Sequence, residues 1–343
     1  MVLAQDTPSF SDKFLTRVAE AYKRSAKQFG GSLDSMWEGF AKRKIDVHNA
    51  LISGDLKDIR GLLQTPAANY LFYGFDILYP ERIKKCLGQT ATERAGSERS
   101  LAADIVRLAE GVGTRRIRDP KKPTEYSPLA EVDLDGLIAE VGDFLGIDIK
   151  FPAPFASEYG LETNFGVASY RSVNAFYQAY LVKQFVPSFG NKVCEIGGGS
   201  GRTAYFSKML GIENYTIVDV PLTNVAQAIF LGASLGEDCV RLAGEKDNGQ
   251  PITIISPGDM TDYGGIVLDV DSMPEMSLPH IREYVDNIRS SASVFLSINH
   301  EAHEARIGEM ASPDAILYRR GMYSMRPGYL EELFIYRWPA TQK

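Results

Sequence analysis

Lys192-Val193-Cys194-Glu195-Ile196-Gly197-Gly198-Gly199-Ser200-Gly201-Arg202 is the stretch that decides how this chain is read. Lys192 to Ile196 is short and β-rich, the glycines break any regular element, and Thr203 to Leu210 puts its apolar residues on one helical face. Strand, glycine turn and helix in that order predict the first crossover of a parallel α/β sheet. Glycines without β-carbons let a ligand lie against the backbone, and the helix N-terminus points at it. The next run, Asn214 to Pro221, is again β-rich and contains Asp219 near its end. That acid follows the glycines by about 20 residues, where a nucleoside-binding unit places a carboxylate on the ribose hydroxyls.

Charge and spacing then separate one nucleoside from another. A dinucleotide site uses G-x-G-x-x-G and holds a pyrophosphate. Here the glycines are Gly197, Gly199 and Gly201, and Arg202 stands where the third glycine of that pattern would be. Glu195, just ahead of the turn, would repel a pyrophosphate but stabilise a cation. S-adenosylmethionine carries an ammonium and a sulfonium and no phosphate, so Glu195, the glycines and Asp219 are expected to hold that cofactor. The same charge argument disfavours an NAD-linked oxidoreductase. A non-catalytic subunit with a relic site would have no reason to keep both acids.

The 343 residues, 44% of them apolar, give ample length for a buried core, and two domains are the prior. A net charge of -7 argues against a nucleic-acid backbone as the main partner, since phosphate binding needs a basic face. Cys86, Cys194 and Cys239 are scattered without a C-x-x-C, which fits a reducing cytoplasm and indicates neither disulfides nor a zinc knuckle. Neither a secretion signal nor a membrane span is expected.

Outward from the glycine turn, the N-terminal stretch keeps helical spacing. One helix is predicted from Ser11 to Gly30-Gly31, a second from Asp34 to Leu51, and a short third through Leu63 that Pro66 ends. The aromatic block Tyr70 to Tyr79 reads as a packing or dimer surface. Further helices are expected over Ser97–Gly111 and Leu134–Leu145, with the basic segment from Thr114 to Pro128 as an exposed loop. Pro152-Ala153-Pro154 marks the junction between an N-terminal helical domain, 1–155, and a doubly wound α/β domain, 156–343. Tyr170 to Val186 is the helix leading into the sheet, and its Arg171 is a candidate for the cofactor's carboxylate, with a solvated surface arginine as the other reading. Strands are predicted at Ile252–Ile255, Gly265–Val270 and Ala292–Asn299, with Ile316 to Trp338 as a closing antiparallel pair. Asp259 and Met260, after the strand at Ile255, are candidates for the adenine amino group and the ring face.

Three segments carry a family resemblance: Glu195 to Arg202, Tyr215 to Pro221, and Asp271-Ser272-Met273-Pro274-Glu275-Met276. In this order and spacing, over roughly Tyr170 to Asn299, they resemble the class I S-adenosylmethionine-dependent methyltransferases, and within these the group of sugar O-methyltransferases. A weaker likeness lies in Phe72-Tyr73-Gly74-Phe75-Asp76. The resemblance implies a Rossmann-like methyltransferase sheet, the methyl donor as cofactor and a small polar metabolite as acceptor.

Ligands of open α/β sheets lie outside the carboxyl ends of the strands, so the acidic segment after Val270 should face the transferable methyl. For a sugar-like hydroxyl a base is needed there, and His300, Glu275 and Asp271 are the candidates. A metal-assisted version would use Asp269, Asp271 and Asn299, but alternate strand residues point to opposite faces, so no metal is expected. For an amine or guanidinium acceptor, of the kind met in natural-product pathways, Asp271 and Glu275 would instead grip the cationic nitrogen together. The helical domain is assigned to substrate cover and to contact within a homodimer.

Overall fold

The computed structural model describes residues 1–28, 35–117 and 132–338. Gly30-Gly31, Asp34 and most of the basic segment before Pro128 lie outside them.

The chain begins with β1 (Val2–Leu3), then forms α1 (Asp12–Gln28), α2 (Ser35–Arg43), α3 (Ile45–Ser53), α4 (Leu56–Gln64), α5 (Pro80–Leu87), α6 (Ala91–Val112) and α7 (Leu134–Leu145). Amphipathic spacing drives this layer: α1 buries Phe14, Leu15, Val18 and Tyr22 on one face. Capping sets the ends. Asp55 accepts from the backbone N–H groups of Lys57 and Asp58 at the start of α4, and Thr90 and Glu93 form a reciprocal capping box on α6. The single helix expected from Asp34 to Leu51 is two helices, broken at Lys44 (φ -94°, ψ 15°) with neither glycine nor proline to announce it.

β1 pairs with β2 (Tyr159–Thr163), which pairs with β3 (Gly166–Ala168), a small antiparallel sheet the sequence did not reveal. The main sheet follows: α8 (Tyr170–Phe189), β4 (Lys192–Ile196), α9 (Arg202–Met209), β5 (Asn214–Val218), α10 (Pro221–Leu235), β6 (Val240–Leu242), β7 (Ile252–Ile255), β8 (Gly265–Val270), α11 (Leu278–Ser291), β9 (Ala292–Asn299), α12 (Ile307–Ala311), β10 (Leu317–Met322) and β11 (Leu330–Ile335). Its order is β10-β11-β9-β8-β4-β5-β7-β6. β4 pairs in parallel with both β5 and β8, so the chain reverses its direction of winding beside β4 and opens a crevice there. β11 runs antiparallel to β9 and to β10, which separates this sheet from the wholly parallel dinucleotide-binding one.

One apolar interior takes Phe14 of α1, Phe72, Phe155, Phe176 of α8, Phe206 of α9 and Phe230 of α10, all fully buried. Each such ring contributes about 1.5–3 kcal/mol of transfer free energy. The helical layer is therefore seated on the sheet's own helices, which brings its loops to the crevice. A second cluster, with Ile196, Val267, Ile281 and Phe295, fills the space between the other sheet face and α11. Among the described residues no helix is long and apolar enough to cross a membrane.

Candidate functional site

At the carboxyl ends of β4 and β8 lies a cleft of about 980 Å³, its open mouth included. The glycine turn forms its floor. Gly197 has φ +70°, and a β-carbon on it would fall 1.9 Å from Ser272 Oγ, so only glycine lets the turn pass the loop after β8. Gly199, at φ +53°, turns an open face to the cleft, where an added β-carbon would come no nearer than 4.0 Å to Phe75 Cβ. Gly201 caps α9 beneath this surface and does not border the cleft, so its role is the bend itself.

Two buried acids flank the turn. Glu195, at the end of β4, is 2% exposed, and its Oε2 has no hydrogen-bond partner. Burial pushes its pKa up to about 7 against the pull of the nearby Tyr215 and Thr203 hydroxyls. Asp219 accepts from the Val220 backbone N–H at 2.8 Å and from Gln227 Nε2 at 2.8 Å. Burial raises its pKa to about 7 as well. Both acids line the cleft, as do Arg171 of α8 and the orphaned Thr223 Oγ1. Bare glycine backbone, two acids and unpartnered buried oxygens fit a cationic nucleoside. They offer no cationic cradle for a diphosphate on the glycine turn, since Arg202 is already spent on Asp76 and Glu158. Below pH 7 a protonated Glu195 loses its attraction for a cation. Affinity for S-adenosylmethionine should therefore rise about tenfold between pH 6 and pH 8. Calorimetry across that range checks this, and a flat profile would remove Glu195 as the charge that meets the cation.

The roof comes from the helical layer. Ser200 Oγ donates to Asp76 Oδ2 at 2.9 Å, and Arg202 bridges Asp76 (3.3 Å) and Glu158 (2.7 Å) while its guanidinium lies 4.7 Å over the Phe230 ring. Arg202 holds Asp76 below the usual carboxylate range despite the opposing cost of burial. This pin sets Gly74 and Phe75 against the glycine turn, both lining the cleft. The aromatic block thus divides: Leu71, Phe72 and Leu78 are core, whereas Phe75 faces the site.

At the far end stand Asp271, Glu275, Tyr170 and three residues of the β10–β11 connection, Tyr323, Arg326 and Tyr329. Asp271 has φ +56°, uncommon for a residue with a side chain, held by its N–H donating to Ile298 O and Asn299 Oδ1. Its Oδ2 accepts from Arg326 Nη1 at 2.8 Å and from the Tyr329 hydroxyl at 2.7 Å. Glu275, in the single turn Met273–Glu275, has its pKa raised to about 7, first by burial and then by the charge of Asp271, with Arg171 opposing.

Among the described residues, four sequence candidates do not border the cleft: Gly201, His300, Asp259 and Met260. His300 stands beside Asp271, outside the cleft lining, its Nε2 3.4 Å from Asp271 Oδ1 and its Nδ1 accepting from the Ala302 N–H. Asp259 lies in the turn after β7, its Oδ2 buried without a partner, and Met260 packs into the second core. Asp269 accepts from the Met273 N–H and from Asn299 Nδ2, so the metal clamp loses its first acid to the loop it braces. Phe75 falls in the aromatic block read as a packing or dimer surface, and Arg326 and Tyr329 in the segment read only as a closing antiparallel pair.

No family model and no curated protein matches the chain. Solved structures do. An S-adenosylmethionine-dependent methyltransferase from Aquifex aeolicus is 18% identical over 46% of this chain and 87% of its own, with a TM-score of 0.29. The glycopeptide N-methyltransferase MtfA, solved with S-adenosyl-L-methionine, is 13% identical over 46% and 70%, with a TM-score of 0.27. A candidate O-methyltransferase from Nostoc punctiforme is 10% identical over 75% and 99%, with a TM-score of 0.33. By its strand order, its reversed β11 and the glycine turn at the end of β4, the chain has a doubly wound, Rossmann-like α/β fold.

Proposed function

We propose that the protein is an S-adenosylmethionine-dependent methyltransferase that O-methylates a hydroxyl of a small, polar, sugar-like metabolite. Glu195, Gly197, Gly199 and Asp219 hold the cofactor, Asp219 accepts from its ribose hydroxyls, and Arg171 meets its carboxylate. When bound, the cofactor supplies a methyl already activated by its sulfonium. The protein's task is then to orient the acceptor, exclude water and receive one proton.

The observation that carries the reading is the unequal state of the two acids beside the acceptor. Asp271 accepts through Oδ2 from Arg326 and Tyr329, whereas Glu275 stands on the cleft wall with its pKa raised to about 7. A carboxylate with a pKa of about 7 suits a general base that takes a hydroxyl proton. The amine or guanidinium alternative would have to use Asp271 Oδ1, which has no hydrogen-bond partner, because Arg326 and Tyr329 already hold Oδ2. Tyr170, on the cleft wall, supplies an aromatic ring of the kind that hydroxylated rings pack on.

Two measurements test this. Incubation with methyl-labelled cofactor should label hydroxylated metabolites, and exclusive labelling of amines would overturn the choice of oxygen. Asp219→Ala should weaken S-adenosylhomocysteine binding by about 150-fold or more, the loss of two hydrogen bonds to a charged acceptor at about 1.5 kcal/mol or more each. Unchanged affinity would remove Asp219 from the ribose.

A further inference from the structure

The connection between β10 and β11 puts Tyr323, Arg326 and Tyr329 on the wall of the cleft beside Asp271 and Glu275. A strained backbone holds one of them in place. Asp271, at φ +56°, accepts through Oδ2 from Arg326 Nη1 at 2.8 Å and from the Tyr329 hydroxyl at 2.7 Å. The guanidinium also lies 3.7 Å over the Tyr329 ring. Arg326 is thus fixed by an acid at one nitrogen and by a ring at its face, while its Nε and Nη2 make no hydrogen bond among the described residues. Tyr323 stands three residues before it, 3% exposed, with a hydroxyl that has no hydrogen-bond partner. A buried hydroxyl left unmet costs about 1–3 kcal/mol. One short segment therefore carries two sets of unspent donors, one of them charged, on the wall where the methyl acceptor lies.

We propose that the β10–β11 connection is a carboxylate-binding subsite, with Arg326 and Tyr323 as its donors, and that the methyl acceptor is a sugar acid rather than a neutral sugar. The inference rests on the O-methyltransferase reading and deepens it by naming the acceptor's charged group. A guanidinium presents its N–H groups in one plane, at the spacing of the two oxygens of a carboxylate. Asp271 and the Tyr329 ring fix where that plane stands, and the Tyr323 hydroxyl offers a further proton. A phosphate is the poorer match, because its second charge would stand beside Asp271 and Glu275 on the same wall. The carboxylate takes no part in the transfer. The acceptor's hydroxyl oxygen bonds to the methyl carbon as the carbon–sulfur bond breaks, Glu275 receives the proton, and the product keeps the charge of the acid.

The test uses the full chain, methyl-labelled S-adenosylmethionine and a deproteinised cell extract. Labelled products should be retained on an anion exchanger at pH 7 and stay retained after phosphatase treatment. Neutral or cationic products overturn the inference, as do products that phosphatase frees from the resin. In dilute extract, where the rate reports kcat/KM, Arg326→Met should lower labelling about 10- to 100-fold while S-adenosylhomocysteine binds within about twofold of wild type. Arg326→Lys, which keeps the charge without the fork, should recover part, and Tyr323→Phe should cost about fivefold. Labelling at the wild-type rate in Arg326→Met overturns the proposal. So does an equal loss of S-adenosylhomocysteine affinity, which would give the arginine to the cofactor or to the fold. Should that variant not fold, the charge of the wild-type products decides. A wild-type chain that labels nothing takes the methyltransferase reading down too, whereas neutral labelled products leave that reading standing.

Discussion

Glu275→Gln is expected to lower kcat about a thousandfold while S-adenosylhomocysteine binds within about twofold of wild type. Glutamine keeps the shape and the polarity of the side chain but cannot take a proton. The pH profile sharpens the expectation. Burial and the neighbouring charge of Asp271 raise the pKa of Glu275 from 4.5 to about 7, so below pH 7 the group is a protonated acid. In the wild type, kcat/KM should climb with pH and level off above neutrality, and Glu275→Gln should lose that limb. A variant that turns over normally, or keeps the same limb, would show that another group receives the proton.

The second large effect is on stability. Arg202→Met should destabilise the fold by about 3–5 kcal/mol, because it leaves Asp76 and Glu158 buried without their counter-ion. Adding Glu158→Gln should recover part of the loss, since one of the two stranded charges is then gone. Chemical denaturation midpoints check both. The consequence reaches the site, because Asp76 also receives the Ser200 hydroxyl from the glycine turn. Arg202→Met should accordingly bind the cofactor more weakly even where it remains folded. A midpoint unchanged from wild type would mean that the three buried groups contribute nothing as a unit.

Much of the sheet was legible because its signals are local. β4, β7 and β9 fall where a β-rich run meets a breaker, and the glycine turn announces itself by composition. The pieces that escaped depend on distant partners. β6 is three residues long and exists only by pairing with β7, and β1 to β3 are short strands that need each other. Lys44 breaks a helix that no local residue forbids. Within the site, Asp219 and Glu275 were singled out from their places after strands and Glu195 from the end of β4, where the fold puts ligands. His300 illustrates the limit: it follows β9 as expected, but Asn299 turns inward to brace Asp269 and leaves His300 beside Asp271, off the cleft wall. Asp259 and Met260 lie outside the cleft lining, as the turn after β7 packs Met260 against the second core. Arg326 and Tyr329 lie more than 50 residues along the chain from Asp271 and reach it only because β11 folds back beside β9.

All of this depends on a cation-bearing nucleoside lying on the glycine turn between Glu195 and Asp219. The most direct measurement is calorimetric titration of the wild-type chain with S-adenosylhomocysteine and, separately, with NADH. The account predicts saturable binding of S-adenosylhomocysteine and none of NADH; saturable binding of NADH with no heat from S-adenosylhomocysteine would contradict it.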